Sequence, residues 1–313
     1  MKSLFFSLLL FPCFTFSQIK IEGKVIDAIT KQPIPYVNLE NFKYKTGVQS
    51  NQDGVFVLEL LQANVLDTLK ISSIGYQDKY LVNVHPGAEM LLELKPAIIS
   101  LEEVVIRKGK SVLKEVGVLG KTGHEVDLFN QMTRKGGYQY AVLMKGIEGR
   151  TAMLKQIHFF IGKEAYEAPF RVRIYENING VPGKDLLNKG LELSAYKKND
   201  WNAFDVSNHY LEVPGKGVWV AIEWIANEKY AMKSRPLVRF SADGKPYQDK
   251  SFIFTYYGPE VAYQTDSEYG LTYQKSLGEK WFQKRAGRKP QDGDMKKLGF
   301  ADIMAKATIE VVE

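Results

Sequence analysis

Apolar and polar residues alternate with a period of two along most of this chain. Ile19, Ile21 and Val25 fall on one side of the first segment and Lys20, Glu22 and Lys24 on the other, which is the pattern of a half-buried strand. Tyr36 to Leu39, Val55 to Leu60, Thr68 to Ser72, Met90 to Leu94 and Val104 to Ile106 read the same way, each bounded by Pro, Gly, Asn or Asp. Short strands at this spacing predict two sheets packed face to face. A second series begins at Gly137. Tyr138 to Met144, Thr151 to Phe160, Asp200 to Val206 and Gly217 to Ile225 are strand-like, and Phe170, Val172 and Ile174 alternate with Arg171, Arg173 and Tyr175. Residues 176–183 form a sharp connection, residues 256–298 read as long aromatic and basic connections, and Ile303 to Val312 supplies a closing strand. Between the two series, residues 107–135 are rich in Lys and Gly without a sustained period, which is how a linker reads. The prediction is all-β, with one β-sandwich over 18–106 and a second over 136–313.

The first seventeen residues stand apart. Lys2 and the apolar run from Leu4 to Phe16 form a signal peptide, with cleavage expected before Gln18. The run falls short of the ~20 apolar residues that cross a bilayer. Cys13 is the only cysteine and lies inside this run, so the predicted mature chain holds no disulfide, thiolate ligand or cysteine nucleophile. Phe11 and Pro12 precede Cys13 where lipid attachment needs a small residue. The formal charge of +6 falls to +5 when Lys2 is removed with the leader. Its excess sits at Arg107 to Lys114 and at Lys284 to Lys297, read as two solvated loops. Neither run accompanies a nucleic-acid-binding module, so no nucleic-acid partner is expected.

Five segments of the first half carry a resemblance: Gly23-Lys-Val-Ile-Asp27, Pro33-Ile-Pro-Tyr-Val37, Asn51-Gln-Asp-Gly-Val-Phe56, Ser72-Ser-Ile-Gly-Tyr76 and Leu101-Glu-Glu-Val-Val-Ile106. Together they resemble the carboxypeptidase-regulatory-like domain that heads many TonB-dependent outer-membrane receptors and other secreted envelope proteins. The resemblance implies a transthyretin- or immunoglobulin-like sandwich and an address in the periplasm, at the outer membrane or outside the cell. In such receptors a plug and a barrel follow, and the remaining residues here are too few to build them. In the second half, Arg173-Ile-Tyr-Glu-Asn-Ile-Asn-Gly-Val-Pro-Gly183, Trp201-Asn-Ala-Phe-Asp-Val206 and Val218-Trp-Val-Ala-Ile-Glu-Trp224 resemble jelly-roll modules of secreted adhesins and glycan-associated proteins.

Chemistry is harder to find. His85, His124, His158 and His209 are the only histidines, and none opens an H-E-x-x-H pattern, so no zinc peptidase site is expected. Asp27 and Asp53 read as turn residues, not calcium ligands. The G-x-S-x-G elbow and the phosphate-binding loop are both absent. No acid pair stands out for glycoside hydrolysis. No catalytic residue, metal or cofactor is therefore expected. For ligand binding, Trp219 and Glu223 share one face of their strand, and a flat ring beside a carboxylate makes a sugar platform. The other reading buries that strand on both sides. Trp201 and Trp281, next to turns, are rival candidates. The functional expectation is a non-enzymatic exported envelope protein that binds or scaffolds a glycan or protein partner, with peripheral association at the outer membrane. An accessory role in TonB-dependent uptake and a secreted hydrolase with an unidentified acid pair are the alternatives.

Overall fold

The computed structural model of the chain describes residues 19–60, 66–85, 87, 89–97, 110–120, 126–128, 134–150, 152–234, 236–241, 243–267, 270–284 and 300–312. The expected leader with Cys13, the predicted cleavage before Gln18, the Leu101-to-Ile106 motif, and Arg107 to Gly109 and Arg285 to Lys297 of the basic runs lie outside them. Strands make up 55% of the structure and no α-helix occurs among the described residues.

Among the described residues seven strands form the first sandwich: β1 (Ile19–Asp27), β2 (Asn38–Asn41), β3 (Thr46–Gln49), β4 (Val55–Leu60), β5 (Leu66–Ser72), β6 (Lys79–Val84) and β7 (Glu89–Leu94). One sheet runs β4-β1-β7 and the other β3-β2-β5-β6. β1 is antiparallel to β4 and parallel to β7. The predicted alternation explains the packing. Ile21 and Val25 of β1, Leu39 of β2, Phe56 and Leu58 of β4, Leu69 and Ile71 of β5, and Leu92 and Leu94 of β7 fill the space between the sheets, while Lys20 and Glu22 face water. Asp27 acts as a turn residue: its Oδ1 accepts from the backbone N–H groups of Ile29 (2.7 Å) and Thr30 (2.8 Å), and its Oδ2 accepts from the Tyr76 hydroxyl (3.0 Å). Gly54 sits at φ +74°, where a Cβ would come within 2.5 Å of the Val25 carbonyl oxygen, so the turn before β4 requires glycine.

The second sandwich contains β8 (Ser111–Gly117), β9 (Val126–Leu128), β10 (Gln139–Met144), β11 (Ala152–Ile161), β12 (Phe170–Ile178), β13 (Val181–Asp185), β14 (Leu191–Leu193), β15 (Asp200–Asp205) and β16 (Val218–Trp224). It continues with β17 (Met232–Lys233), β18 (Leu237–Phe240), β19 (Pro246–Asp249), β20 (Thr255–Tyr256), β21 (Ala262–Ser267), β22 (Thr272–Lys275), β23 (Phe282–Gln283), β24 (Phe300–Ile303) and β25 (Ala305–Val312). Its larger sheet runs β13-β12-β16-β10-β22-β23, with β14 also paired to β12, and the facing sheet runs β15-β11-β25-β8. Between them lie Tyr140, Val142, Phe170, Val172, Ile174, Val220, Ile222 and Trp224 from one side, and Ile157, Phe159, Ile161, Ala307, Ile309 and Val311 from the other.

Two expectations need correction. Residues 107–135 are not simply a linker, because β8 pairs along β25 and β9 pairs with β21. The period is hidden there for a physical reason. The β8 positions opposite the buried Ala307, Ile309 and Val311 are Val116, Lys114 and Val112, so a lysine interrupts the core-facing line, and Leu113 points to water. Likewise residues 256–298 are not only connections, since β21, β22 and β23 lie within them and β22 is hydrogen-bonded to β10.

Candidate functional site

The larger sheet of the second sandwich turns one face to its own core. Register defines the other face. In an antiparallel ladder, directly opposed residues point the same way, so the outer face reads in rows across β12, β16, β10 and β22. The first row is Arg171, Glu223, Gln139 and Lys275, and the second is Arg173, Ala221, Ala141 and Tyr273. Tyr175, Trp219 and Leu143 form the third.

The first row is covered by the first sandwich. Glu223 is completely buried. Its Oε1 accepts from Asn38 Nδ2 at 2.7 Å and Gln49 Nε2 at 3.4 Å, both from the first sandwich. Its Oε2 accepts from Arg173 Nη1 at 3.3 Å and faces Arg171 Nη1 at 3.8 Å. Arg171 also donates to the Tyr36 carbonyl oxygen (3.1 Å) and to Glu192 (3.2 Å), and Arg173 donates to Asp185 (2.6 Å). At the far end of the row Lys275 pairs with the buried Glu40 of β2 at 2.9 Å. The backbones meet closely beside it. A Cβ on Gly47 of β3 would stand 2.6 Å from Leu277 Cβ, and the Gly278 N–H donates to Glu40 (3.2 Å). β2 is thus buried on both sides: Leu39 enters the core of its own sandwich, and Asn38 and Glu40 face the second. Burial pushes the Glu223 carboxyl up, but Arg173 and then Arg171 outweigh it with the Asn38 hydrogen bond, and the net direction is down. The carboxylate stays charged and is committed to these partners.

The second and third rows hold an aromatic cluster. Ala221 and Ala141 leave a floor without bulk, and Tyr175 reaches across the sheet so that its hydroxyl donates to Gln139 Oε1 at 2.6 Å. Trp281 meets Tyr175 edge-on at 5.5 Å, and Trp219 meets Tyr273 at 5.0 Å. Trp219 is 1% exposed, and its Nε1 is buried without a hydrogen-bond partner. Trp281 and Tyr273 are half-buried and form the rim that meets water.

Three of the four sequence candidates, Trp219, Glu223 and Trp281, therefore share one face. The structure does not place them as an open platform: Glu223 lies between the sandwiches and Trp219 under the rim. Trp201 belongs to the opposite sheet, against Phe160 at 5.8 Å with Lys306 Nζ 5.0 Å from its ring. Asn38, Gln49, Arg171, Arg173 and Tyr175 escaped sequence reasoning. The signal available was the alternation of Arg171 and Arg173 with buried β12 positions, which places two cations on one face of a strand. His158, held below its usual range by burial, stands 3.0 Å from Thr308 Oγ1 on the neighbouring strand of the same smaller sheet. Among the described residues no three His, Cys, Asp or Glu side chains come together as a metal site, and no helix is long and apolar enough to cross a membrane.

Fold and site define a β protein of two sandwiches joined through a buried polar seam. Residues 21–106 match the family model of the CarboxypepD_reg-like domain, so the first sandwich and the segment after it are of this type. No curated protein matches the chain. Among solved structures, the cysteine protease and lectin-like domains of Cwp84, a surface-layer-associated protein of Clostridium difficile, align at 16% identity and TM-score 0.31, over 57% of this chain and 33% of that one. A second structure of the clostridial protease Cwp84, after propeptide cleavage, aligns at 13% identity and TM-score 0.36, over 65% of this chain and 40% of that one. The chain spans well under half the length of these neighbours, and likeness at this level defines neither ligand nor activity.

Proposed function

We propose that the protein is a non-catalytic, exported envelope module whose two sandwiches act as one scaffold and present the Trp281–Tyr273 rim to a glycan or protein partner. The observation that carries this reading is the seam around Glu223. A domain hung on a flexible tether has no need of a fully buried carboxylate shared by Asn38, Gln49, Arg171 and Arg173, whereas a scaffold of fixed shape does. The rim supports the recognition half of the reading, because a half-buried indole backed by buried rings is held in place and can stack on a sugar or an apolar side chain. The CarboxypepD_reg-like domain supports the envelope address. A glycan array and pull-down with the mature chain, repeated with Trp281→Ala, test it. Partner binding lost in the variant at an unchanged melting temperature supports the reading. Full binding by Trp281→Ala, or turnover of a bound glycan by the wild type, refutes it.

A further inference from the structure

Between Glu228 and Tyr257 the chain leaves the second sandwich as a ribbon. Its base is the β17–β20 pair, extended by the Ser234 N–H donating to the Phe254 carbonyl (2.9 Å) and the Phe254 N–H donating to Ser234 Oγ (3.1 Å). Beyond it, among the described residues, β18 and β19 pair only with each other. Val238 stands opposite Gln248 and Phe240 opposite Pro246, so these four share one side, and Arg239 and Tyr247 share the other. Three of these four are apolar and exposed, Val238 at 61%, Phe240 at 71% and Pro246 beside them, with the exposed Gln248 at the edge. On the reverse side Arg239 pairs with Asp249 at 2.8 Å. From Glu228 to Lys250 the sequence has six Lys and Arg against three Asp and Glu. Asp243 and Asp249 each already face a cation of the hairpin, and Glu228 accepts from the Tyr257 hydroxyl, so the surplus is positive.

Exposed apolar side chains on a hairpin with a surplus of cations make an amphipathic element that settles at a lipid–water boundary: the apolar side chains leave water, and the cations stay among the headgroups. We propose that this hairpin is an interfacial anchor that inserts Val238 and Phe240 into an anionic phospholipid surface. The charge selects this occupant over a second copy, since two basic hairpins repel, and over an apolar protein groove, which has no use for the surplus. The biological sense of the anchor rests on the envelope address proposed above, but its test does not.

The test is flotation of the mature chain with vesicles of equimolar phosphatidylglycerol and phosphatidylcholine, and with phosphatidylcholine alone. Binding is expected to the anionic vesicles, weakening as salt screens the cations. Phe240→Asp is expected to weaken it about tenfold or more. Ile29→Asp, which changes an equally exposed apolar residue of the first sandwich, is expected to leave it unchanged. Unchanged melting temperatures for both variants exclude misfolding. Absence of wild-type binding, equal binding by Phe240→Asp, or a fall in protein mass by ultracentrifugation without lipid when Phe240 is replaced overturns the anchor. Failure here with the Trp281 result intact removes the anchor and leaves the proposed function standing.

Discussion

Glu223→Ala removes the one carboxylate that both arginines and both first-sandwich amides share. Breaking a buried ion pair by deleting one member costs about 3 to 5 kcal/mol when the other charge is stranded. Here neither arginine is stranded, as Arg171 keeps Glu192 and the Tyr36 carbonyl and Arg173 keeps Asp185. The lower end applies, about 3 kcal/mol. Glu223→Gln keeps the volume and an acceptor for Asn38 but turns an amide toward the guanidinium groups, and about 2 kcal/mol is expected. Urea unfolding of the mature chain followed by tryptophan fluorescence measures both. Asn38→Ala with Glu223→Ala closes a double-mutant cycle across the seam, with an expected coupling of about 1 kcal/mol or more. The pH dependence has a definite sign. The folded carboxyl lies below its ordinary value near 4.5, so its contribution is full above about pH 4.5 and fades as the pH falls toward the lowered folded value. That acid-linked loss should be missing from Glu223→Gln. A Glu223→Ala cost under about 0.5 kcal/mol, or zero coupling to Asn38, refutes the seam.

Three further outcomes follow from packing and burial. Ala221→Leu places bulk on the floor that Tyr175 crosses and should destabilise the chain by about 1 to 3 kcal/mol, measurable by the same urea titration. A fragment beginning at Lys135 lacks β8 and leaves one side of β25 unpaired, so it should aggregate where a fragment beginning at Lys110 stays monomeric by gel filtration. Burial pulls the Lys284 ammonium down to about 8, where it donates to the Tyr140 hydroxyl at 3.0 Å. Acylation followed by peptide mass spectrometry should label Lys284 half-maximally near pH 8.

Much of this architecture is legible in the sequence where one side of a strand is wet. β1 and β4 announce themselves because charged or exposed residues alternate with buried ones, and Val55–Leu60 coincides with the predicted span. Legibility fails for two reasons. β8 carries Lys114 on its core-facing line and Leu113 outside, so its pattern resembles a linker. The outer face of β12, β16 and β10 is dry, being covered by another domain or by its own rings, and polarity there no longer reports exposure. The shared face of Trp219 and Glu223 follows from alternation alone. That Glu223 meets Asn38 and Gln49 does not, because those partners lie more than 170 residues earlier in the chain. Pairing over such distances is set by how the sandwiches dock, which no local pattern encodes.

The central claim is that the two sandwiches form one body. The predicted mature chain has no thiol, so cysteines introduced at Ile29 and Tyr210, exposed positions on the first and second sandwich, accept spin labels selectively. Pulsed electron resonance between them should give one narrow distance distribution that broadens in Glu223→Ala. A broad or multi-peaked distribution in the otherwise wild-type chain would contradict the claim.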